Sequence, residues 1–248
     1  MRFLKSLIVL LVPVMFVACG DDDSGNFVAR DDSSDVSSSS AFSPSGIPKA
    51  VPCKTDSTDD CVYGTLVDER DGQVYKTIDI ADRTWMAENL NFAYLEPVDG
   101  SDSGSVCFDN DPENCEKYGR LYSWAVAMKM CPSGWHLPDT LEWNELGEAS
   151  GSAHMLRSSF DWSNNANGTD DFGFTVLPAG AYLDNYGGFV EKNVCVYYWT
   201  STTCIVEFLL GPEEHVHNII FDDRNSQDIA RGSVPRTSHK FAVRCVKD

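Results

Sequence analysis

The chain has 248 residues, with 19 Lys and Arg against 38 Asp and Glu, and a formal net charge of −19 at pH 7. Nucleic acid is itself a dense line of negative charge, so it is disfavoured as a partner. With 42% hydrophobic and 11% aromatic residues, much of the chain can bury a core, and the length admits one large domain or two small ones.

Arg2 and Lys5 open the chain, and 6–18 is apolar apart from Ser6 and Pro13. A basic start, a short apolar run and small residues form a secretory signal. The run is too short to cross a hydrocarbon core of ~30 Å. It ends Phe16-Val17-Ala18-Cys19-Gly20, which resembles a bacterial lipobox, with Phe16 where leucine is usual. The resemblance implies that 1–18 is removed and Cys19 acylated, which makes the outer membrane the first partner and the cell surface the location. Each buried methylene of such an anchor contributes ~0.8 kcal/mol. The other reading is a cysteine that merely closes a signal peptide. Asp21-Asp22-Asp23 fits either a surface-export signal of some Gram-negative lipoproteins or a solvated spacer.

Residues 19–61 are expected to form an acidic, serine-rich flexible tether, because 33–45 is nearly a serine run without apolar periodicity and cannot bury enough apolar area to offset the entropy of ordering. Setting Cys19 aside leaves eight cysteines in a compartment where disulfides persist. Spacing alone cannot choose among their connectivities. Three pairs are close in sequence, Cys53/Cys61, Cys107/Cys115 and Cys195/Cys204, which leaves Cys131 and Cys245 as a long-range pair. A zinc site is the rival, weakened by the lack of any C-x2-C pair.

From residue 62 the pattern becomes that of a folded domain, 62–248. Runs at 64–68, 73–80 and 83–87 are rich in β-branched and aromatic residues, and Asp71-Gly72 and Ala81-Asp82 punctuate them as hairpin turns. Leu121, Trp124, Ala125 and Met128 recur at helical spacing and predict a helix over 118–130. A second helix starts at Asp139, with Glu142 three residues on as the partner of a capping box. Strands are expected again at 174–179, 188–190, 195–200, 216–221 and 241–246, joined by long Gly- and Asn-rich loops. Short antiparallel strands, two main helices and disulfide staples make this an α+β arrangement.

Six ordered motifs then carry a family resemblance. They are Asp71-Gly72-Gln73 through Trp85-Met86-Ala87-Glu88-Asn89-Leu90, Tyr118-Gly119-Arg120-Leu121-Tyr122, Cys131-Pro132-Ser133-Gly134-Trp135-His136-Leu137-Pro138, Gly173-Phe174 with Leu177-Pro178-Ala179-Gly180, Tyr198-Trp199-Thr200-Ser201, and Val243-Arg244-Cys245-Val246. Over 62–248 the chain resembles the Fibrobacter succinogenes major paralogous domain family. The resemblance implies a C-type-lectin-like fold, similar in its centre to formylglycine-generating enzymes, in secreted or lipid-anchored proteins. It carries no established activity and no catalytic residues.

Among the motif residues, Trp85, Trp135, Trp143 and Trp199 are expected in the core, since each ring buries ~150–250 Å². His136 reads as structural, and Glu88 with Arg120 as a hydrogen-bonded pair. No Ser-His-Asp order or G-x-S-x-G occurs, so no catalytic residue is assigned.

The binding candidates lie in loops. Asp109 and Asp111, and Asp170 and Asp171, sit in loops with enough oxygen atoms for calcium, the one cofactor such loops could take; the motifs require none. The tripeptides of calcium-dependent sugar-binding lectins are absent. Trp162 with Asn164 and Asn165, and Tyr182 with Tyr186, place aromatic rings among polar residues, where a sugar's C–H face can stack and its hydroxyls find amides. His215 and His217 alternate as two strand-borne metal ligands would, without an evident third.

The resulting expectation is a surface lipoprotein with a non-catalytic recognition domain that binds glycan. The alternatives are a structural or protein-adhesion module and an oxidase similar to formylglycine-generating enzymes, which would need free thiols. A solvent-facing ring among Trp162, Tyr182 and Tyr186 favours glycan. Burial of those rings beside an apolar patch elsewhere favours adhesion.

Overall fold

Polar–apolar alternation sets the first sheet. In the computed structural model, which describes residues 46–97, 104–209, 211–223, 229–235 and 239–248, Gly64–Val67 (β1) meets Val74–Ile80 (β2) across the Asp71-Gly72 turn. β2 buries Tyr75, Thr77, Ile78 and Ile80 and turns Val74, Lys76 and Asp79 outward. Arg83–Met86 (β3) completes the meander and buries Trp85.

The middle of the chain holds Ser105–Val106 (β4), the helix Pro112–Tyr118 (α1), Leu121–Ser123 (β5), the four-residue helix Trp124–Ala127 (α2), Trp135–His136 (β6) and the helix Thr140–Ser150 (α3). Ala181–Leu183 (β7) and Gly188–Val190 (β8) follow. The two long strands Cys195–Phe208 (β9) and Gly211–Asp222 (β10) come next, then Ala230–Pro235 (β11), Lys240–Phe241 (β12) and Val246–Lys247 (β13). Their neighbours define three antiparallel sheets, β1-β2-β3-β13-β6, β11-β10-β9 and β4-β5-β12-β7-β8. β13 lies between β3 and β6, so the last residues of the chain close the first sheet.

This architecture corrects the expected fold class. Thirteen strands stand against three α-helices among the described residues, so the domain is mostly β, with curled antiparallel sheets, and the α+β C-type-lectin-like arrangement is not supported. The helix expected over 118–130 shows why. Leu121, Tyr122 and Ser123 are all buried and pair as β5 with β4 and β12; only the single turn of α2 follows. A strand running into one helical turn mimics the spacing of an amphipathic helix.

α3 is the long helix, with 11 residues. Its capping box is formed: Glu142 N donates to Asp139 Oδ1 at 2.8 Å, and Asp139 N donates to Glu142 Oε2 at 2.9 Å. Trp143 on this helix packs 5.1 Å from Trp85 and 5.3 Å from Tyr198 between ring centroids, and the core gathers around them. Trp199 is buried in the adjoining apolar cluster, while Trp135 at the rim is only half-buried.

Disulfides Cys53–Cys61, Cys107–Cys115 and Cys131–Cys245 are formed. The Cys195/Cys204 bond is not: Cys195 is a free, buried thiol. Both residues lie on β9, nine positions apart, which is ~30 Å at ~3.3 Å per residue, whereas a disulfide needs Cα atoms within ~7 Å.

The flexible tether expected over 19–61 does not include residues 46–61. Ala50 N donates to Ala149 O, Cys53 N and Lys54 N donate to Asp171 O, and Ile47, Ala50 and Cys61 rest against the core. Residues 46–61 are therefore part of the domain. The expected signal segment 1–18, Cys19 and the rest of the expected tether lie outside the described residues.

Candidate functional site

Arg244 is fully buried in the segment between β12 and β13. Its Nε and Nη2 donate to Asn89 Oδ1 at 3.1 and 2.8 Å, Nη1 donates to the Phe174 carbonyl, and Nη2 also reaches the Thr175 carbonyl at 3.2 Å. The guanidinium lies over the rings of Phe174 and Tyr198, at 4.5 and 5.7 Å. Tyr198 Oη donates to the same Asn89 oxygen at 2.9 Å, and Asn89 Nδ2 donates to the Tyr118 carbonyl at 2.8 Å. The hydrogen-bond partners of Arg244 are thus neutral oxygens. Burial pushes the guanidinium's pKa down, against the opposing influence of Tyr198 and the charges of Glu88 and Asp170.

Asn89 also faces a cleft of about 380 Å³. β2 supplies Val74, Tyr75 and Lys76 to one side, α1 supplies Cys115, Glu116 and Lys117, and the segment before β1 supplies Lys54, Asp59 and Tyr63. Gly119 and Gly173 make room in the lining. A Cβ on Gly119 would stand 2.7 Å from Asn89 Cβ, and one on Gly173 would stand 2.3 Å from the Tyr63 hydroxyl. Both glycines hold positive φ, 76° and 64°, which other residues rarely adopt.

The cleft is polar and balanced in charge, unlike the chain as a whole. Lys54, Lys76 and Lys117 stand against Asp59, Glu88 and Glu116. Lys54 Nζ pairs with Asp170 at 2.6 Å and lies 3.8 Å from Asp59, and Lys117 Nζ pairs with Asp161 at 2.6 Å. Lys76 Nζ lies 5.1 Å over the Tyr63 ring. Tyr63 Oη donates to both oxygens of Asp59 at 3.2 and 3.3 Å; partial burial, then that carboxylate, raises its pKa to about 12, so it stays a donor.

Asn91 Oδ1, on a residue lining the cleft, is buried without a hydrogen-bond partner. A buried acceptor left without a donor costs about 1–3 kcal/mol.

The residues picked out in the sequence fall elsewhere. Trp162 is core: it is buried, and Nε1 donates to Ser158 Oγ at 3.0 Å and to Val176 O at 3.3 Å. It is no solvent-facing platform. Asn164 and Asn165 are exposed at positive φ, and Asn164 Nδ2 donates to Asp223 at 2.6 Å. Tyr182 is half-buried with its edge against Phe189, while Tyr186, at the turn between β7 and β8, is 70% exposed. Trp162 therefore does not join the exposed asparagines and Tyr186 in one surface.

Of the acidic candidates, Asp170 and Asp111 have side chains already engaged within the domain. Asp170 is buried, with Lys54 on Oδ2 and Thr175 donating from N and Oγ1 at 2.7 and 2.9 Å. Asp171 offers its carbonyl to Cys53 and Lys54, Asp111 caps α1 through Glu113 N, and Asp109 is exposed. Among the described residues no three His, Cys, Asp or Glu side chains are gathered to hold a metal ion, and His215 with His217 is no exception. The expected Glu88–Arg120 pair is also replaced, since Glu88 accepts from Lys76 N at 2.7 Å.

The cleft residues Lys54, Tyr63, Lys76, Asn91 and Lys117 went unnoticed in the sequence, because the signal that joins them is tertiary. Glu88-Asn89, Tyr118-Gly119, Gly173-Phe174, Tyr198 and Arg244 did stand out as motifs, and the fold brings them to one place.

A disulfide-stapled, β-rich domain with a polar cleft over a buried arginine is the class of molecule these features define. The chain belongs to the Fibrobacter succinogenes major domain family, whose sequence model matches residues 78–247. No curated protein and no solved structure matches it.

Proposed function

We propose that the chain is a lipid-anchored protein of the outer-membrane surface whose domain is a non-catalytic recognition module, binding glycan in the cleft beside Asn89. The observation that carries the reading is the cleft of about 380 Å³ itself, lined by the amides of Asn89 and Asn91, by carboxylates and by ammonium groups. Sugar hydroxyls donate and accept at once, which suits a lining with both kinds of group and little net charge. The basic start, the apolar run and Cys19 support the anchor.

The test is retention of the mature chain, with Cys19→Ser, on neutral and acidic polysaccharides. Retention that falls on Asn91→Ala supports the reading; no retention on any polysaccharide rejects glycan as the ligand.

A second reading, protein adhesion, is favoured by the end of the β9–β10 hairpin. Ile205, Phe208 and Leu209 there are 62%, 44% and 103% exposed, while Trp162 is buried. The oxidase reading gains nothing from the geometry, because Cys195 is buried and ~30 Å along its strand from Cys204.

A further inference from the structure

The family match begins at residue 78, yet one side of the cleft is built from residues before it. Lys54, Asp59 and Tyr63 belong to that earlier stretch, as do Gln73, Val74, Tyr75 and Lys76 at the start of the first sheet, whereas Asn89, Gly119 and Thr175 lie inside the match. We infer that the loop closed by Cys53–Cys61 is the selectivity element of the cleft: β2, with Gln73 before it, and the matched span supply the floor, and the loop decides which glycan the floor can hold. The inference rests on the cleft being the glycan site proposed above.

The loop is fixed where it meets the domain and open where it meets the cleft. Its disulfide holds the two Cα atoms 4.8 Å apart, and Asp60 N donates to Cys53 O at 2.9 Å inside the ring. Cys53 N and Lys54 N donate to the Asp171 carbonyl at 2.8 and 3.0 Å, and Lys54 Nζ reaches down to the buried Asp170. Asp59, in contrast, keeps a side chain 44% exposed at the cleft. Just beyond the ring, Tyr63 lies against Gly173, which has no Cβ to push it away.

The chemistry presented is specific. The Asp59 carboxylate and the Lys54 ammonium stand 3.8 Å apart, an acceptor beside a donor, matched to a pair of neighbouring sugar hydroxyls. The Asp59 carboxylate is held by Tyr63, just outside the ring, so its direction is set by residues that precede the family span. Changing the loop alters which hydroxyl pattern is accepted and leaves the floor, with Asn89 and Asn91, in place.

The experiment compares the mature chain (Cys19→Ser) with Asp59→Asn, Cys53→Ser/Cys61→Ser and, for the floor, Asn91→Ala. Each is run by affinity electrophoresis through xylan, mixed-linkage β-glucan, mannan and polygalacturonate, with thermal unfolding as the folding control. The loop variants are expected to weaken the best-held polysaccharide about tenfold, as loss of one charge-assisted hydrogen bond would, and to change the rank order among the four. Asn91→Ala is expected to weaken all that bind without reordering them. If the loop variants leave retention unchanged, or lower it equally for every polysaccharide, the loop is a structural clip and the inference fails while the cleft reading stands. If the starting protein is retained by none, the cleft reading fails and takes the inference with it. Should the cysteine variant not fold, Asp59→Asn decides alone.

Discussion

Asn89 and Arg244, 155 residues apart in the chain, share one oxygen: both Nε and Nη2 of the buried guanidinium donate to Asn89 Oδ1. This contact joins the segment after β3 to the segment before β13, beneath the cleft. Because no carboxylate takes part in these bonds, the positive charge is stabilised by carbonyls, an amide and the two ring faces of Phe174 and Tyr198.

Asn89→Ala would leave Arg244 and Tyr198 without their shared acceptor. A hydrogen bond to a charged group contributes about 1.5–3 kcal/mol, and Arg244 keeps its two carbonyls, so a loss of that order is expected, read as a lower urea midpoint with an unchanged slope. A variant within about 0.5 kcal/mol of the starting protein would show that water or the remaining carbonyls suffice.

The free thiol of Cys195 offers a second test. Burial, then the hydrogen bond to Glu191 Oε2 at 3.0 Å and that carboxylate's charge, push its pKa far up. The nucleophile is the thiolate, so Cys195 should resist iodoacetamide at about pH 8, where an ordinary cysteine is partly ionised. Peptide mass mapping should find it alkylated only after denaturation. Labelling in the folded protein would mean that β9 opens readily at this end.

Much of the local structure was legible in the sequence because it depends on neighbours in the chain. The Asp139–Glu142 capping box, the Asp71-Gly72 turn and the core roles of Trp85, Trp143 and Trp199 all follow from spacing and residue type. Cys131 with Cys245 emerged once nearer pairs were set aside, although the same habit paired Cys195 with Cys204 wrongly: proximity in sequence means distance in space along an extended strand. The cleft was not legible. Its lining joins residues 54 and 177 with the turn after α1, and no local pattern encodes that meeting. Trp162 misled because a polar loop does not by itself expose its ring: Ser158 and Asn167 satisfy its indole and backbone N–H groups in the core, while Asn164 donates to Asp223.

His136 gives a pH dependence whose sign can be worked out. Partial burial disfavours its protonation, but hydrogen bonds to Asp248 at 2.7 Å and to Glu142 at 3.0 and 3.1 Å outweigh it and raise the pKa above the ordinary 6.5. The folded state therefore binds the proton more tightly than the unfolded chain. The stabilisation is fully present below the unfolded value and is lost as pH rises through the raised folded value. In a thermal-unfolding series from acid to alkaline pH, the deficit of His136→Gln should be largest below about pH 6 and shrink as pH climbs above it. A deficit constant across the series would make the contribution one of packing alone.

Gly173 and Tyr63 should behave as a coupled pair. A Cβ at residue 173 would stand 2.3 Å from the Tyr63 hydroxyl and 2.9 Å from two of its ring carbons, and the φ of 64° adds strain for any L side chain. The left-handed conformation alone costs roughly 1–2 kcal/mol for alanine. The steric part exists only while the tyrosine is present. Gly173→Ala is therefore expected to destabilise the starting protein by more than it destabilises a Tyr63→Ala background, with an interaction of about 1 kcal/mol in the double-mutant cycle. Additive effects would mean that Tyr63 moves aside freely. The side of the cleft it forms would then be soft, and selectivity would have to come from the disulfide ring and Asp59 rather than from the seating of the tyrosine on the glycine.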